Sequence, residues 1–278
     1  MQAEGPIEAR SRLRVVAAPS AFRSSRVPLL VGVFSVGVLL FLAVEPTKPW
    51  ILLIVTAVVA LGTDGILREH TAHRREREAD IAWTAPLLFL PTLLTLAAGL
   101  FLEDVLSGYW VMPGVLVAAL LMAMILYAEQ VSLDGDHALY PGARFALNLG
   151  TYLTAFALYA VIYSFDVSLV PAALTVGLVS LLLAVEVLRE AEADPLRALI
   201  FASVVGLIVA EARWALYFLP LESYLAGVFL LLLFYLTSGL VQHHLDDDLE
   251  PAVAFEFGVI ALIGIVIVAL GRIFETGA

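Results

Sequence analysis

The sequence predicts an all-α protein, a polytopic transmembrane bundle of eight to nine helices with its N-terminus inside and its C-terminus outside. Three observations carry this. First, 62% of the 278 residues are hydrophobic and only 15% are charged, with a mean hydropathy of +0.97, whereas a soluble domain runs at about 45–50% apolar and about 25% charged. The chain is long enough to bury a large core but has too few polar groups to cover one, so lipid must be its main solvent. Second, apolar runs long enough to cross a ~30 Å hydrocarbon layer recur from Pro28 onward, each followed by a short polar break. Third, arginine is distributed one-sidedly. With the N-terminus inside, the inner segments hold Arg10, Arg12, Arg14, Arg23, Arg26, Arg68, Arg74, Arg75, Arg77, Arg144, Arg189 and Arg197. The outer segments hold only Lys48 and Arg272, the asymmetry expected of cytoplasmic loops.

Taken in order, residues 1–27 read as a disordered, arginine-rich cytoplasmic tail in which Pro6 and Pro19 break any long helix. No small-residue cleavage site follows the first apolar run, which argues against a secretory signal. The helical domain spans 28–271, with spans at 28–44, 50–67, 82–102, 109–128, 145–165, 167–188, 196–219, 223–242 and 251–270, and a short tail at 272–278. Asp64 interrupts the second span near its end. Pro86 and Pro91 should kink the third, which is tolerable in lipid where neighbours re-satisfy the freed carbonyls. The spans are continuously apolar rather than alternating, which favours helices over a transmembrane barrel. Between the second and third, residues 68–80 mix both signs of charge and read as a helical extension. Trp50, Tyr109, Trp110, Tyr163, Tyr217 and Tyr224 fall at the outer ends, and Trp83 at an inner end, as interfacial belts require.

A weak repeat runs through this pattern. Trp50 and Trp110 both open even-numbered spans, and Glu69, Glu129, Glu186 and His243 close them at spacings of 60, 57 and 57. Stacked out-and-back hairpins plus a closing ninth helix would produce it, although spans of ~20 residues with short turns repeat at about this period anyway.

Composition also narrows function. There is no cysteine, hence no disulfide or thiolate chemistry. The net charge of −11 argues against nucleic acid as a partner. Phosphate-binding loops, HExxH and Gly-x-Ser-x-Gly are absent, no polar break is long enough for a soluble domain, and no cofactor is implied. The expected surroundings are the lipid bilayer of the cell membrane, together with other membrane proteins.

Two sets of residues are candidates for chemistry. In the seventh span Glu211 and Arg213 lie ~22 and ~26 Å from the inner face at 1.5 Å per residue, where ionisable groups face a bundle interior or snorkel. Two residues apart, they point in nearly opposite directions and cannot pair with each other. Arg213 is expected to reach Asp166, Glu103 or Asp104. Glu211 is expected to need a donor such as Tyr159 or Trp110, and Glu211, Arg213, Tyr159 and Tyr217 form a candidate ligand or proton site. Asn148, Thr151, Tyr152 and Thr154 make the fifth span unusually polar, and Gly150, Gly177, Gly206 and Gly227 permit close helix approach.

The second set is acidic. Glu186, Glu190 and Asp194 are spaced i, i+4, i+8 at the inner end of the sixth span, an oxygen-rich pattern suited to a hard cation. Nine helices, an inner N-terminus and acids after the second and sixth spans resemble the layout of intramembrane aromatic prenyltransferases. That resemblance implies two aspartate-rich motifs holding Mg²⁺ and a diphosphate. The chain departs from it after the second span, where only Asp64 and Glu69 stand in place of Asn-Asp-x-x-Asp. Three functions follow as expectations: first a non-enzymatic scaffold or accessory subunit; then a small-solute or cation transporter or channel using Glu211 and Arg213; last a Mg²⁺-dependent prenyltransferase-like enzyme using the acidic inner rim.

Overall fold

The computed structural model describes residues 26–276 except positions 45, 47, 73–80, 135–136, 166, 190–193, 220 and 247–250; side chains at 70–72, 81–84, 251–254 and 272–276 are also outside the description. The expected disordered tail at 1–27 therefore lies almost wholly outside the described residues, as do Arg74, Arg75, Arg77, Asp166 and Glu190.

The described chain is helical, with no strand. Its elements are α1 (Arg26–Ala43), α2 (Pro49–Ala72), α3 (Ile81–Val105), α4 (Val111–Ser132), α5 (Tyr140–Ser164), α6 (Leu169–Leu188), α7 (Pro195–Leu216), α8 (Ser223–Leu245) and α9 (Pro251–Thr276). Eight are long and apolar enough to cross a membrane; the described side chains of the ninth cover Phe255–Gly271. The protein is thus a multi-helix membrane protein. Proline marks many of the starts: Pro49, Pro195 and Pro251 open their helices and Pro141 is second in α5. At these positions the missing N–H costs nothing, and the fixed φ is already helical. Pro86 and Pro91 lie inside one continuous α3. Between α3 and α4 the chain turns through Gly108 at φ 59°, a conformation that favours glycine.

Several helices run past the expected spans, α5 by five residues at its start and α2 by five at its end. In each case the added turn is polar, so hydropathy marks the lipid-embedded part and leaves out the amphiphilic ends. The correction at the sixth span concerns Asp194 alone. Asp194 does not continue the face of α6, because α6 stops at Leu188 and Asp194 is the N-cap of α7. Its carboxylate accepts from Leu196 N at 3.0 Å. A residue preceding proline is driven out of helical geometry, and Asp194 stands at φ −87°, ψ 112°.

Neighbouring helices alternate in direction. The first four pack together and the last five follow, joined through α5, which touches α3, α4, α6 and α8, and by a direct α3–α6 contact; α6 and α7 make the most extensive contact, and α9 packs on α8. The core is apolar and closely fitted, with Phe34, Met122, Leu147, Tyr159, Leu183 and Phe234 fully enclosed. The outward faces are equally apolar, as at Leu61, Leu116, Leu174 and Leu207. In water such a surface would aggregate; in hydrocarbon it is the ordinary solvent-facing side.

Lipid supplies no hydrophobic force between helices, so close backbone approach takes its place. A Cβ on Gly206 of α7 would stand 2.7 Å from the Gly177 carbonyl oxygen of α6, and one on Gly227 of α8 would stand 3.1 Å from the backbone nitrogen of Ala160 in α5. Most interior hydroxyls are satisfied inside their own helix. Thr56, Thr95, Ser180 and Ser238, for example, donate to the carbonyl four residues back at 2.7–2.9 Å.

Candidate functional site

The densest polar constellation lies at one end of the bundle, where α4 and α6 finish and α5 begins. Glu129 near the end of α4 and Glu186 near the end of α6 are 0% and 1% exposed, and Arg189, one residue beyond α6, lies between them. Its Nη2 donates to Glu186 Oε1 at 2.8 Å and reaches Glu129 Oε2 at 3.4 Å. Arg144, in the second turn of α5 and 7% exposed, brings Nη1 to 3.6 Å from the same Glu186 oxygen. Burial alone would lower the pKa of Arg189; the Glu186 and Glu129 carboxylates outweigh it and raise it above the ordinary guanidinium value. One guanidinium therefore ties two helices that are 57 residues apart at their acids, and a second ties α5 to the same carboxylate. Among the described residues, Glu129 Oε1 and the neighbouring Gln130 Nε2 are buried with no hydrogen-bond partner.

The same end closes α1 on α2. Arg26, the first residue of α1, meets Glu69 near the end of α2 at 2.9 Å, and Arg68 bonds Asp64 one turn earlier at 2.8 Å. Arg26–Glu69 and Arg144–Glu186 have the same form: arginine at the start of an odd helix, acid at the end of the following even one, 43 and 42 residues apart. Glu129 ends the second hairpin and is reached by Arg189 of the third. Exposed pairs like Arg26–Glu69 are worth ~0–1 kcal/mol. Breaking a buried pair is another matter, because the partner left behind is an uncompensated charge costing ~3–5 kcal/mol.

Glu211 and Arg213 do not form one site. Glu211 is exposed on the outward face of α7, beside Leu207 and Ile208. Arg213 is 5% exposed and faces inward. Their opposed directions follow from the 100° step of the helix, but their partners differ from expectation. Tyr159 does not serve Glu211: it is fully buried and shares a 2.6 Å hydrogen bond with Ser180 of α6. Tyr217 is 58% exposed and stacks edge-on against Phe218. No carboxylate among the described residues is within ion-pair distance of Arg213; Asp166, one of the expected partners, lies outside them. Its guanidinium instead sits 4.6 Å above the Tyr163 ring, while Nε and Nη1 are buried without a hydrogen-bond partner. A cation over an aromatic face gains ~0.5–2 kcal/mol, against several kcal/mol for removing an ion from water. The stack offsets only part of the cost.

The acidic candidates are likewise dispersed. Glu186 belongs to the arginine cluster and Asp194 caps α7, while Glu190 is outside the described residues. No group of three or more His, Cys, Asp or Glu able to hold a metal occurs among the described residues. Two guanidinium groups already offset the charge of Glu186 and occupy its Oε1, leaving it little attraction for a divalent cation, so the described residues do not fit Mg²⁺. Arg144 and Arg189 were not among the residues expected to carry chemistry. Their signal was available: each sits within a few residues of an apolar span at the same end as Glu186.

A family model describing a protein of unknown function (DUF5656) matches residues 28–271, and the chain belongs to that family. No curated protein and no solved structure matches the chain.

Proposed function

We propose that this DUF5656 member is a non-enzymatic scaffold or accessory subunit of the cell membrane, with its arginine-bearing end in the cytoplasm, that binds another membrane protein along α7. The single observation that carries this reading is the outward position of Glu211 on an otherwise apolar helix face made by Ile200, Val204, Leu207 and Ile208. Glu211 is five residues from the end of α7, so it lies ~7–8 Å inside the bundle end. An acid at that depth is disfavoured in lipid and is typically retained for a partner or a cavity. A transmembrane helix carrying Lys, Arg or an amide donor near the same depth relieves the cost and gains packing on the aliphatic face. The interior supports the same reading, since Glu129, Arg144, Glu186 and Arg189 are spent on one another.

The transporter reading needs Glu211 and Arg213 to line one path, and their opposite directions give it no support. A photo-crosslinking residue at Leu207 tests the proposal in intact membranes. The expected result is a discrete adduct that disappears in Glu211→Ala and is not formed from Leu116 on the outward face of α4. Equal adducts from both positions, or an adduct from Leu207 that ignores Glu211→Ala, refute it. Glu211-dependent solute flux in reconstituted vesicles would replace it with the transporter reading.

A further inference from the structure

We propose that Arg213 is the cationic floor of a phosphate-binding site at the rim where α5 and α7 end, its ligand a phosphate oxyanion borne by a membrane lipid headgroup or free in solution.

The argument begins with what the guanidinium lacks. Arg213 is 95% removed from solvent, and among the described residues two of its nitrogens are sealed without a hydrogen-bond partner and its guanidinium is met by the π face of Tyr163 rather than by an acid. Acids are present at this end of the bundle, yet Glu103 and Asp104 at the close of α3 and Glu222 before α8 are exposed and make no ion pair with it. Guanidinium cannot shed its proton to escape burial, as lysine can. A buried, permanently charged, unpaired fork therefore requires an anion, and its planar geometry matches two phosphate oxygens at once.

Position selects the anion. Arg213 is three residues from the end of α7 and Tyr163 one from the end of α5, about 5 Å inside the bundle end at 1.5 Å per residue. Trp214 and Tyr217 at the end of α7 and Tyr224 at the start of α8 are exposed. Such amphipathic rings settle at the membrane interface, which puts the long Arg213 side chain within reach of lipid phosphates. Its cover is lightly held. The Tyr163 hydroxyl donates to the Leu216 and Leu219 carbonyls at 3.5 and 3.3 Å, well beyond the usual length for a hydroxyl donor. An oxyanion that lifts the Tyr217–Leu219 turn reaches the orphaned nitrogens while the guanidinium stays stacked on the ring.

The test uses the full chain in neutral detergent, with thermal melting and native mass spectrometry as readouts. Three additives are compared: phosphatidylglycerol, diacylglycerol with the same acyl chains, and sodium phosphate alone. Phosphatidylglycerol is expected to raise the melting temperature and remain bound where diacylglycerol does neither. Arg213→Gln is expected to weaken that binding about tenfold or more, the factor lost with a charge-assisted hydrogen bond. Arg213→Lys should fall between, and Arg197→Gln at the opposite end should match the parent. An Arg213-dependent shift with sodium phosphate alone identifies a soluble oxyanion in the same site and supports the proposal. If Arg213→Gln does not fold, the comparison of Arg213→Lys with the parent decides. The proposal is overturned by binding that Arg213→Gln and Arg213→Lys retain in full, by no shift with either phosphate probe, or by a shift that appears only in Asp166→Asn, which would make Asp166 the resident anion.

Discussion

Replacing Gly206 by alanine asks whether the backbones of α6 and α7 really touch. The added methyl would lie 2.7 Å from the Gly177 carbonyl oxygen, 3.0 Å from Leu181 Cβ and 3.2 Å from Leu181 N. Two of the three are main-chain atoms, so no rotamer change relieves the contact and the helices must separate. Overpacking of this kind costs ~1–3 kcal/mol. The gain in helix propensity from glycine to alanine returns ~1 kcal/mol, leaving a net loss of roughly 0–2 kcal/mol. The larger Gly206→Leu change cannot be absorbed by a shift of a few tenths of an ångström and should lose the α6–α7 contact outright. Gly32 and Gly65 are matched controls, for a Cβ there meets nothing within 4 Å, so alanine at either keeps the propensity gain. Thermal unfolding in mild detergent, followed by circular dichroism or by retention of a monodisperse peak after heating, gives the ordering. The expected series is Gly32→Ala and Gly65→Ala at or above the parent, Gly206→Ala below it, and Gly206→Leu far below. Should Gly206→Ala melt with the controls, the two helices do not cross at these glycines and the packing argument fails.

Three further outcomes are expected. Arg189→Met leaves Glu129 and Glu186 facing each other without their shared cation and should cost ~3–5 kcal/mol; adding Glu129→Gln, which leaves Glu186 to its Arg144 contact, should recover part of that loss in the same melting assay. Tyr159→Phe removes the hydrogen bond to Ser180, whose hydroxyl still donates to Val176 at 2.7 Å. The expected cost is ~0.5–1.5 kcal/mol, and the double change with Ser180→Ala should cost less than the two singles added together. Asp194→Ala strips the cap of α7 and should cost ~0.5–2 kcal/mol, with Asp194→Asn or Asp194→Ser retaining most of the stability.

The helices were legible because a membrane span is a one-dimensional property: enough consecutive apolar residues make one whatever surrounds them. Helix ends were less so, since Glu69 at the end of α2 and Arg144 in the second turn of α5 are held by partners from other helices. The charge cluster shows the same boundary between local and distant information. Glu186 and Arg189 are three apart and can be paired by eye on a helical wheel. That Glu129 and Arg144 join them depends on how α4, α5 and α6 are arranged, which no spacing along the chain encodes. Arginines near span ends were read as topological markers, and they serve as binding partners too. The divergence of Glu211 and Arg213 followed from helical geometry alone. The stack of Arg213 on Tyr163 required knowing that α5 and α7 end side by side. Asp194 was misassigned to α6 by regular spacing, although Pro195 directly after it signals a helix start.

The lateral position of α9, resting on α8 through Gly239, Gly264 and Gly271, bears on how the protein is made. Helices leave the ribosome in chain order, so α1 to α8 can assemble while α9 is still being synthesised. The last helix then docks against a face already formed, and its arrival is a separate, late event in biogenesis. Substitutions along that seam should delay maturation while sparing the eight-helix body beneath.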